Sequence, residues 1–264
     1  MSTISPLAFI HPEAKIGNDV TISAFAYIDR DVVLGDGCVV HPHVSILAGS
    51  RIGKNNHFYD GCIICATPQD FRWKGEPSFV EIGDDNTIRE HVIINRSIYE
   101  NQSTRIGSNS FIMAQSHIGH DTEIGNHVVL GNSVKIAGSC KIGDCTILSS
   151  AALVHERCEV GEWVIIKGGC RVNSHVPPYT IMAHNPIEYY GVNAIILRKA
   201  KFSEDTIEDI AKCYRFLYQT NTSTFNAIRR ILDDVAEGPE RDAIVSFVRN
   251  HNYKLAAVMA ESEE

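Results

Sequence analysis

The chain has 264 residues, of which 44% are hydrophobic and 21% are charged, and its formal net charge at pH 7 is −8. This length can bury a substantial core in one large domain, alone or with a small second domain. The acidic balance argues against nucleic acid as the main ligand, because phosphate binding needs a concentrated basic surface, and no apolar run approaches the roughly 20 residues of a membrane helix.

The N-terminal segment carries no recognisable targeting signal. Residues Met1 to Pro12 lack a basic stretch followed by an apolar one, which is the pattern of a secretory signal. We therefore expect a cytoplasmic protein with no membrane span and no nucleic-acid partner.

An apolar residue recurs every six positions through most of the chain. The series runs from Ile4 to Ile94 and resumes in the same register from Ile106 to Val172. Glycine follows the apolar residue at intervals of eighteen or its multiples, at Gly17, Gly35, Gly53, Gly107, Gly125, Gly143 and Gly161. Three hexads therefore make one coil, and we predict a triangular parallel β-helix in which each coil stacks on its neighbours.

A small or narrow residue follows most of the apolar positions by four. Five cysteines take this slot, namely Cys38, Cys62, Cys140, Cys158 and Cys170. Cys62 and Cys65 also form a CxxC pair, but disulfides are rare in the cytoplasm. We interpret the five as buried spacers rather than as metal or redox ligands.

Two segments interrupt the repeat, at about residues 65–81 and 96–105, where polar or bulky residues stand in place of the apolar one. We expect both to loop out of the solenoid, and such excursions are where ligands commonly bind.

The repeat ends at Val176-Pro177-Pro178-Tyr179, because paired prolines cannot continue a β ladder. We predict a β-helix over residues 1–190 and an α-helical domain over 191–264. Three helices are expected there: one capped by Ser203, one from about Ser223 to Gly238-Pro239, and one near Asp242 to Arg249.

Positions eighteen residues apart lie one coil apart on the same face, separated by about 5 Å. This arithmetic places His120, Gly138 and Glu156 in one column, with His117, Asp121 and His155 beside it. An imidazole, a carboxylate and a glycine open to a ligand form an acid/base constellation. With twelve histidines in the chain, the clustering is also compatible with ordinary surface positions.

Longer strings are more specific than the repeat. They are Pro68-Gln69-Asp70, Gly75-Glu76-Pro77, Ile88-Arg89-Glu90, His117-Ile118-Gly119-His120-Asp121, Val176-Pro177-Pro178-Tyr179 and Gly191-Val192-Asn193. In this order they resemble the UDP-N-acetylglucosamine acyltransferase family over essentially the whole chain. The resemblance implies a mainly β fold, a left-handed parallel β-helix with a small α-helical C-terminal domain, assembled as a homotrimer.

The resemblance also implies an activity, the first step of lipid A biosynthesis. A 3-hydroxyacyl chain would pass from acyl carrier protein to the glucosamine 3-hydroxyl of UDP-N-acetylglucosamine, without a cofactor or metal. His120 matches the general base, Asp121 the carboxylate that orients its imidazole, and the Gly138 N–H the oxyanion donor. Neighbours on a strand face opposite ways, so the His120–Asp121 pair requires a local bend.

Further positions are carried over as substrate contacts: Gln69, Asp70, His117, His155 and Glu156, with Asn193, Arg198 and Lys199 near the uridine diphosphate. Gly168 lies on a different face from His120, so it would reach the same groove only from a neighbouring subunit, where it would leave room for a long acyl chain. Candidate docking charges for the acidic carrier protein are Lys167, Arg171, Arg198, Lys199 and Lys201. The chain departs from the family at Ser139, Glu156 and Ala200, where histidine, glutamine and arginine are usual.

Three alternatives remain open from the sequence. The chain could be a related N-acyltransferase acting on an amino-sugar nucleotide, a zinc-dependent carbonic-anhydrase-like trimer that uses the His117-x-x-His120 spacing, or a catalytically silent scaffold.

Overall fold

The computed structural model describes residues 2–218, 222–251 and 255–258. Three sheets of short strands run along the solenoid, and the chain visits them in turn, so each coil gives one strand to each sheet. Strands within the solenoid pair in parallel, as between Thr3–Ile4 and Thr21–Ile22. The fold is the predicted one: mainly β, a left-handed parallel β-helix followed by helices.

We name the three faces by their strands. The first face consists of Thr3–Ile4, Thr21–Ile22, Val39–Val40, His57–Phe58, Thr87–Ile88, Phe111–Ile112, Val129–Leu130, Ile147–Leu148 and Ile165–Ile166. The second face consists of Phe9–Ile10, Tyr27–Ile28, Ser45–Ile46, Ile63–Ala66, Ile93–Asn95, His117–Ile118, Lys135–Ile136, Leu153–Val154 and Arg171–Val172. The third face consists of Lys15–Ile16, Val33–Leu34, Ser50–Ile52, Phe79–Ile82, Ser103–Ile106, Glu123–Ile124, Lys141–Ile142 and Glu159–Val160.

The hexad sequence explains each coil. The recurrent apolar residue ends its strand and points inward, as Ile118, Ile136 and Val154 do, and the preceding residue points outward. Three residues after the apolar one, the chain turns a corner with positive φ. The glycine that follows the apolar residue is needed where coils touch, because a Cβ on Gly35 would lie 2.3 Å from the carbonyl oxygen of Gly53.

The two excursions leave the solenoid at the same corner, between the second and third faces. Ile63 pairs with Ile93, and Ile93 pairs with His117, so the register spans thirty and then twenty-four residues instead of eighteen. The extra residues form loops at 67–78 and 96–102. His120 lies at this corner in the next coil, so both loops are positioned beside it.

Both loops are shorter than the sequence pattern indicates. Strand Ile63–Ala66 is longer than its neighbours, and strands Phe79–Ile82 and Ser103–Ile106 pair over four residues each. Ladder hydrogen bonds thus extend into segments whose side chains depart from the hexad pattern.

After the solenoid, strand Thr180–Ala183 joins the first face and turns back, antiparallel, into Glu188–Val192, beside which Ala257–Val258 lies. The boundary expected at residue 190 falls inside this hairpin. Helices in the described residues are α1, Ala194–Lys199, α2, Glu204–Tyr218, α3, Thr224–Asp234, and α4, Pro239–His251.

The helices begin largely where the sequence indicates. The Ser203 hydroxyl accepts the Thr206 N–H at 3.0 Å before α2, and Ser223 caps α3. Helix α1 is not among the three helices predicted from the sequence. Helix α4 starts at Pro239 rather than near Asp242, because proline has no N–H to leave unpaired in a first helical turn.

The cysteines behave as packing residues. All eight positions are described, none of them forms a disulfide within the described chain, and the five in the repeat slot are buried. Burial raises the pKa of the Cys62 and Cys140 thiols to about 12. No helix in the described part of the chain is both long and apolar enough to cross a membrane.

Candidate active site

The centre of the site is the imidazole of His120, whose side chain is 9% exposed. Its Nδ1 lies 2.7 Å from Oδ2 of Asp121. Asp121 occupies a corner with φ of +58°, and this turn supplies the local bend that lets sequence neighbours pair. Because Nδ1 lies within hydrogen-bond distance of the Asp121 carboxylate, whereas the carboxylate nearest Nε2 is Asp70 at 3.4 Å, we assign the proton to Nδ1, which leaves Nε2 able to accept one.

The Asp121 carboxylate has further partners from the loop at 96–102. The Ser97 hydroxyl contacts Oδ1, and the Ile98 N–H donates to Oδ2 at 3.3 Å. Burial alone would raise the pKa of the Asp121 carboxyl. The hydrogen bonds from His120, Ser97 and Ile98 have a larger, opposite effect, so the pKa lies below its usual value. The carboxylate therefore stays ionised beside the imidazole. Sequence reasoning missed Ser97.

The loop at 67–78 brings a second carboxylate to the imidazole. Oδ2 of Asp70 lies 3.4 Å from Nε2 of His120. Arg72 holds Asp70 through Nε at 2.9 Å and Nη2 at 2.7 Å, and it also reaches Oε1 of Glu156 at 3.0 Å. The Arg72 hydrogen bonds hold the pKa of the Asp70 carboxyl well below its usual range. Arg72 was not predicted, although it lies two residues after Asp70.

Gly138 lies in the next coil and packs directly against the imidazole of His120. A Cβ at this position would lie 2.3 Å from Cε1 and 2.4 Å from Nε2 of His120. Its N–H has no acceptor among the residues that the structure describes. Gly138 thus presents a free donor and no side chain beside the nitrogen that can accept a proton.

A groove of about 410 Å³ runs along the second face from this corner. It is lined by His117, Lys135, Ile136, Ala137, Leu153, Val154, His155 and Glu156. Burial, with the nearby Lys135 and His120, lowers the pKa of His117, which favours its neutral form. His155 and Glu156 are exposed at the rim. The groove offers an apolar floor with polar groups at both ends.

A larger groove of about 770 Å³ lies on the third face beside Ala243 and Phe247 of α4. Its charged groups are partly paired across strands, since Arg105 reaches Glu81 at 3.1 Å and Glu123 at 3.7 Å. Among its lining residues there is no histidine. The acid/base residues instead surround the smaller groove.

Apart from Gln69, which neighbours Asp70 in the sequence, the remaining predicted residues are placed away from this corner. Gly168 lies at the corner after the first face, and Gln69 is exposed in the loop at 67–78. Asn193 is buried, its Nδ2 donates to the Trp163 carbonyl at 2.9 Å, and its Oδ1 lacks a partner within the described chain. Arg198 is paired with Glu204 at 2.7 Å. Lys199 is exposed on α1.

The described residues contain no group of three or more histidine, cysteine or acidic side chains able to hold a metal ion. What the corner does offer is proton transfer: a carboxylate-held imidazole, a nitrogen open to a hydroxyl, and a backbone donor for a developing negative charge.

The chain is similar in sequence and fold to known acyltransferases. A family model described as UDP N-acetylglucosamine O-acyltransferase, domain 2, matches residues 175–255, and a bacterial transferase hexapeptide model matches residues 13–48 and 103–138. Relatives from Pseudomonas putida and Stutzerimonas stutzeri are each 35% identical over 254 residues, covering 94% of this chain and 98% of the relative. Both are named acyl-[acyl-carrier-protein]–UDP-N-acetylglucosamine O-acyltransferase.

Solved structures agree. The UDP-N-acetylglucosamine acyltransferase LpxA from Bacteroides fragilis superposes with a TM-score of 0.93 at 45% identity, covering 98% of this chain and all of that one. LpxA from Acinetobacter baumannii superposes with a TM-score of 0.92 at 29% identity, covering 96% of this chain and 99% of that one.

Proposed function

This chain belongs to the UDP-N-acetylglucosamine O-acyltransferase family, and on that basis we propose that it transfers an acyl chain from acyl carrier protein to the glucosamine 3-hydroxyl of UDP-N-acetylglucosamine. This is the first step of lipid A biosynthesis. The observation that carries the proposal for the site is the position of His120, held by Asp121 on one side and packed against Gly138 on the other.

The mechanism needs one base and one oxyanion donor. His120 takes the proton of the 3-hydroxyl on Nε2 as the sugar oxygen attacks the thioester carbonyl carbon. The tetrahedral oxyanion accepts a hydrogen bond from the Gly138 N–H, and the carbon–sulfur bond then breaks. His120 returns the proton to the departing thiolate, so the enzyme ends in its starting state. Asp121 stabilises the transient imidazolium through Nδ1.

Asp70 shares the Nε2 side of His120, and this supports a role in holding the sugar. A carboxylate there can accept a hydrogen bond from a sugar hydroxyl next to the reacting one. Gln69 lies beside it in the loop, and His117, His155 and Glu156 line or border the groove on the second face. We propose that these residues bind the nucleotide sugar.

In this proposal a second copy of the chain completes the site. Outward side chains on the first face form an apolar ladder in register, namely Phe111, Val129, Ile147 and Ile165. Gly168 follows this ladder, so a neighbouring subunit packed through its first face would bring Gly168 and the start of its helical region to the His120 groove. Light scattering should give three times the monomer mass, and Ile147→Glu should shift it toward the monomer. A monomeric wild type would contradict the arrangement.

Basic side chains near the end of the solenoid are proposed to dock the acidic carrier protein. Lys167, Arg171, Lys199 and Lys201 are exposed, whereas Arg198 is already paired with Glu204. Electrostatic steering predicts that KM for the carrier-linked donor rises with salt, while KM for a short soluble thioester does not. Salt-independent KM values for both donors would count against this docking surface.

The function is tested by measuring transfer of labelled acyl groups from a panel of acyl carrier protein thioesters to two acceptors, UDP-N-acetylglucosamine and its 3-amino analogue. We expect transfer to the hydroxyl acceptor. Transfer to the amino acceptor alone would favour the N-acyltransferase alternative. No transfer, together with stoichiometric zinc in the purified protein, would favour the carbonic-anhydrase-like one.

A further inference from the structure

The loop at 96–102 places a buried hydroxyl against the acidic member of the His120–Asp121 pair. We infer that Ser97 is a positioning residue, whose hydroxyl fixes the Asp121 carboxylate in the orientation that the His120 imidazole needs. As a statement about catalysis this rests on the proposed function, because it concerns the base of the same reaction.

The hydrogen-bond partners of Ser97 determine which acceptor receives its single hydroxyl proton. Ser97 is fully buried, and its Oγ accepts the Tyr99 N–H at 2.9 Å. The proton has two acceptors in reach, the Tyr99 carbonyl at 3.3 Å and the much closer Oδ1 of Asp121. A charged acceptor at shorter range makes the stronger hydrogen bond, so the proton goes to Asp121.

The two oxygens of the Asp121 carboxylate therefore have different hydrogen-bond partners. Oδ1 accepts a hydrogen bond from the Ser97 hydroxyl. Oδ2 lies against Nδ1 of His120 and accepts a hydrogen bond from the Ile98 N–H. The terminal torsion of an aspartate is broad, so a carboxylate held on one side only can rotate. The Asp121 N–H is fixed separately by Thr104 Oγ1 at 2.8 Å, which anchors the backbone and leaves the side-chain torsion to Ser97.

Ser97 also joins the two loops. The Ser78 hydroxyl, at the end of the loop at 67–78, donates to the Ser97 carbonyl at 2.6 Å, and the Asn101 N–H donates to the Pro77 carbonyl at 2.8 Å. The Ser78 bond uses the backbone carbonyl of Ser97, which Ser97→Ala keeps, so that substitution leaves the loop junction in place and removes only the hydroxyl on Asp121.

Ser97→Ala should lower kcat on the order of tenfold, the effect that one hydrogen bond to a charged group can supply, with KM for the nucleotide sugar unchanged. The acid limb of the kcat/KM profile should move to lower pH. A carboxylate that can rotate away from Nδ1 stabilises the imidazolium less, so His120 gives up its proton more easily in the variant. A role in folding alone would lower the whole profile without moving that limb.

The other charged groups around His120 are unchanged by this substitution. They are Asp70 at Nε2 with Arg72 behind it, Glu156 beyond Arg72, and His117 on the preceding strand. A shift of the acid limb in Ser97→Ala is therefore attributable to Asp121.

Ser78→Ala is the matched control, since Ser78 is equally buried and loses one hydroxyl at the same loop junction without touching Asp121. It should lower the melting temperature comparably to Ser97→Ala while leaving kcat and the acid limb as in wild type. Ser97→Thr, which keeps the hydroxyl, should recover most of the lost kcat.

Histidine NMR titration gives a readout independent of turnover. The His120 signal, identified by its loss in His120→Ala, should titrate at lower pH in Ser97→Ala than in wild type and Ser78→Ala. If wild type transfers no acyl group, the proposed function fails, and the titration still tests the Ser97–Asp121–His120 link. If wild type is active and Ser97→Ala matches it in kcat, acid limb and titration, only the Ser97 inference is overturned.

Discussion

Gly138→Ala tests whether the imidazole of His120 acts from the position seen in the structure. The new Cβ would lie 2.3 Å from Cε1 and 2.4 Å from Nε2, whereas ordinary contacts begin at 3.4 Å. The ring must therefore retreat by about 1 Å, a displacement that can cost about 100-fold in rate. The φ angle of Gly138 is outside the left-handed region, so backbone strain does not contribute.

We expect kcat to fall about 100-fold, equivalent to about 2.7 kcal/mol of transition-state stabilisation. Over-packing one methyl group should cost about 1–3 kcal/mol of unfolding free energy, which separates lost activity from lost fold. The assay is single-turnover acyl transfer at saturating donor, with thermal unfolding alongside.

Gly238→Ala is the control, because its nearest contact would be Glu240 Oε2 at an ordinary 3.7 Å. It should retain wild-type turnover. A Gly138→Ala enzyme within threefold of wild type would show that His120 need not occupy this position, and the proposed geometry of proton transfer would be wrong.

Three further changes test the loops, the domain junction and the acidic pair. Glu156→Gln removes a negative charge bound to Arg72 at the groove rim, so KM for the nucleotide sugar should fall about two- to threefold at low salt, and a change that persists at high salt would contradict this cause. Tyr214→Phe removes the buried hydroxyl that donates to the Pro178 carbonyl, so denaturant unfolding should show a loss of about 1–3 kcal/mol, and an unchanged midpoint would refute its role in joining helices to solenoid. The pKa of Asp121 is lowered in the folded protein, so its ionised form adds stability above the unfolded pKa of about 3.9, and this is lost as pH falls through the folded value. Melting temperatures between about pH 5 and pH 2 should therefore fall less steeply in Asp121→Asn than in wild type, and parallel curves would contradict this.

The solenoid could be predicted because every hexad repeats the same pattern of an apolar residue followed by a corner. From Ile22 onward the apolar residue of each hexad is buried in the core, each following corner turns, and partners such as His117 and Lys135 pair at the eighteen-residue interval. The same arithmetic predicts that His120 and Gly138 are adjacent, since both lie in the regular coils.

The loops could not be predicted in this way, because an inserted segment has no fixed register. Ser97 is twenty-four residues before Asp121, and Arg72 is eighty-four before Glu156, yet both pairs are in contact. The eighteen-residue spacing gives no position on the three faces of the solenoid for residues in such a loop. A search for polar residues at the ends of each interruption would have singled out Ser97, the second residue of its loop.

The C-terminal region illustrates a different limit. Capping residues such as Ser203 and Ser223 marked helix starts correctly, because their hydrogen bonds are local. Asn193, a predicted contact of the uridine diphosphate, is buried and donates from Nδ2 to the Trp163 carbonyl, thirty residues away. Burial of a single polar residue depends on tertiary contacts that the local sequence does not carry.

The central claim is that His120 is the base, and its most direct test is the rate of acyl transfer from acyl carrier protein by wild type, His120→Ala and His127→Ala under single-turnover conditions. His127 is an exposed histidine at a regular corner of the following turn, so its replacement controls for loss of an imidazole. We expect His120→Ala to lose about 100- to 10,000-fold in rate while remaining folded, and His127→Ala to match wild type. Equal rates for all three proteins would contradict the assignment of His120 as the base.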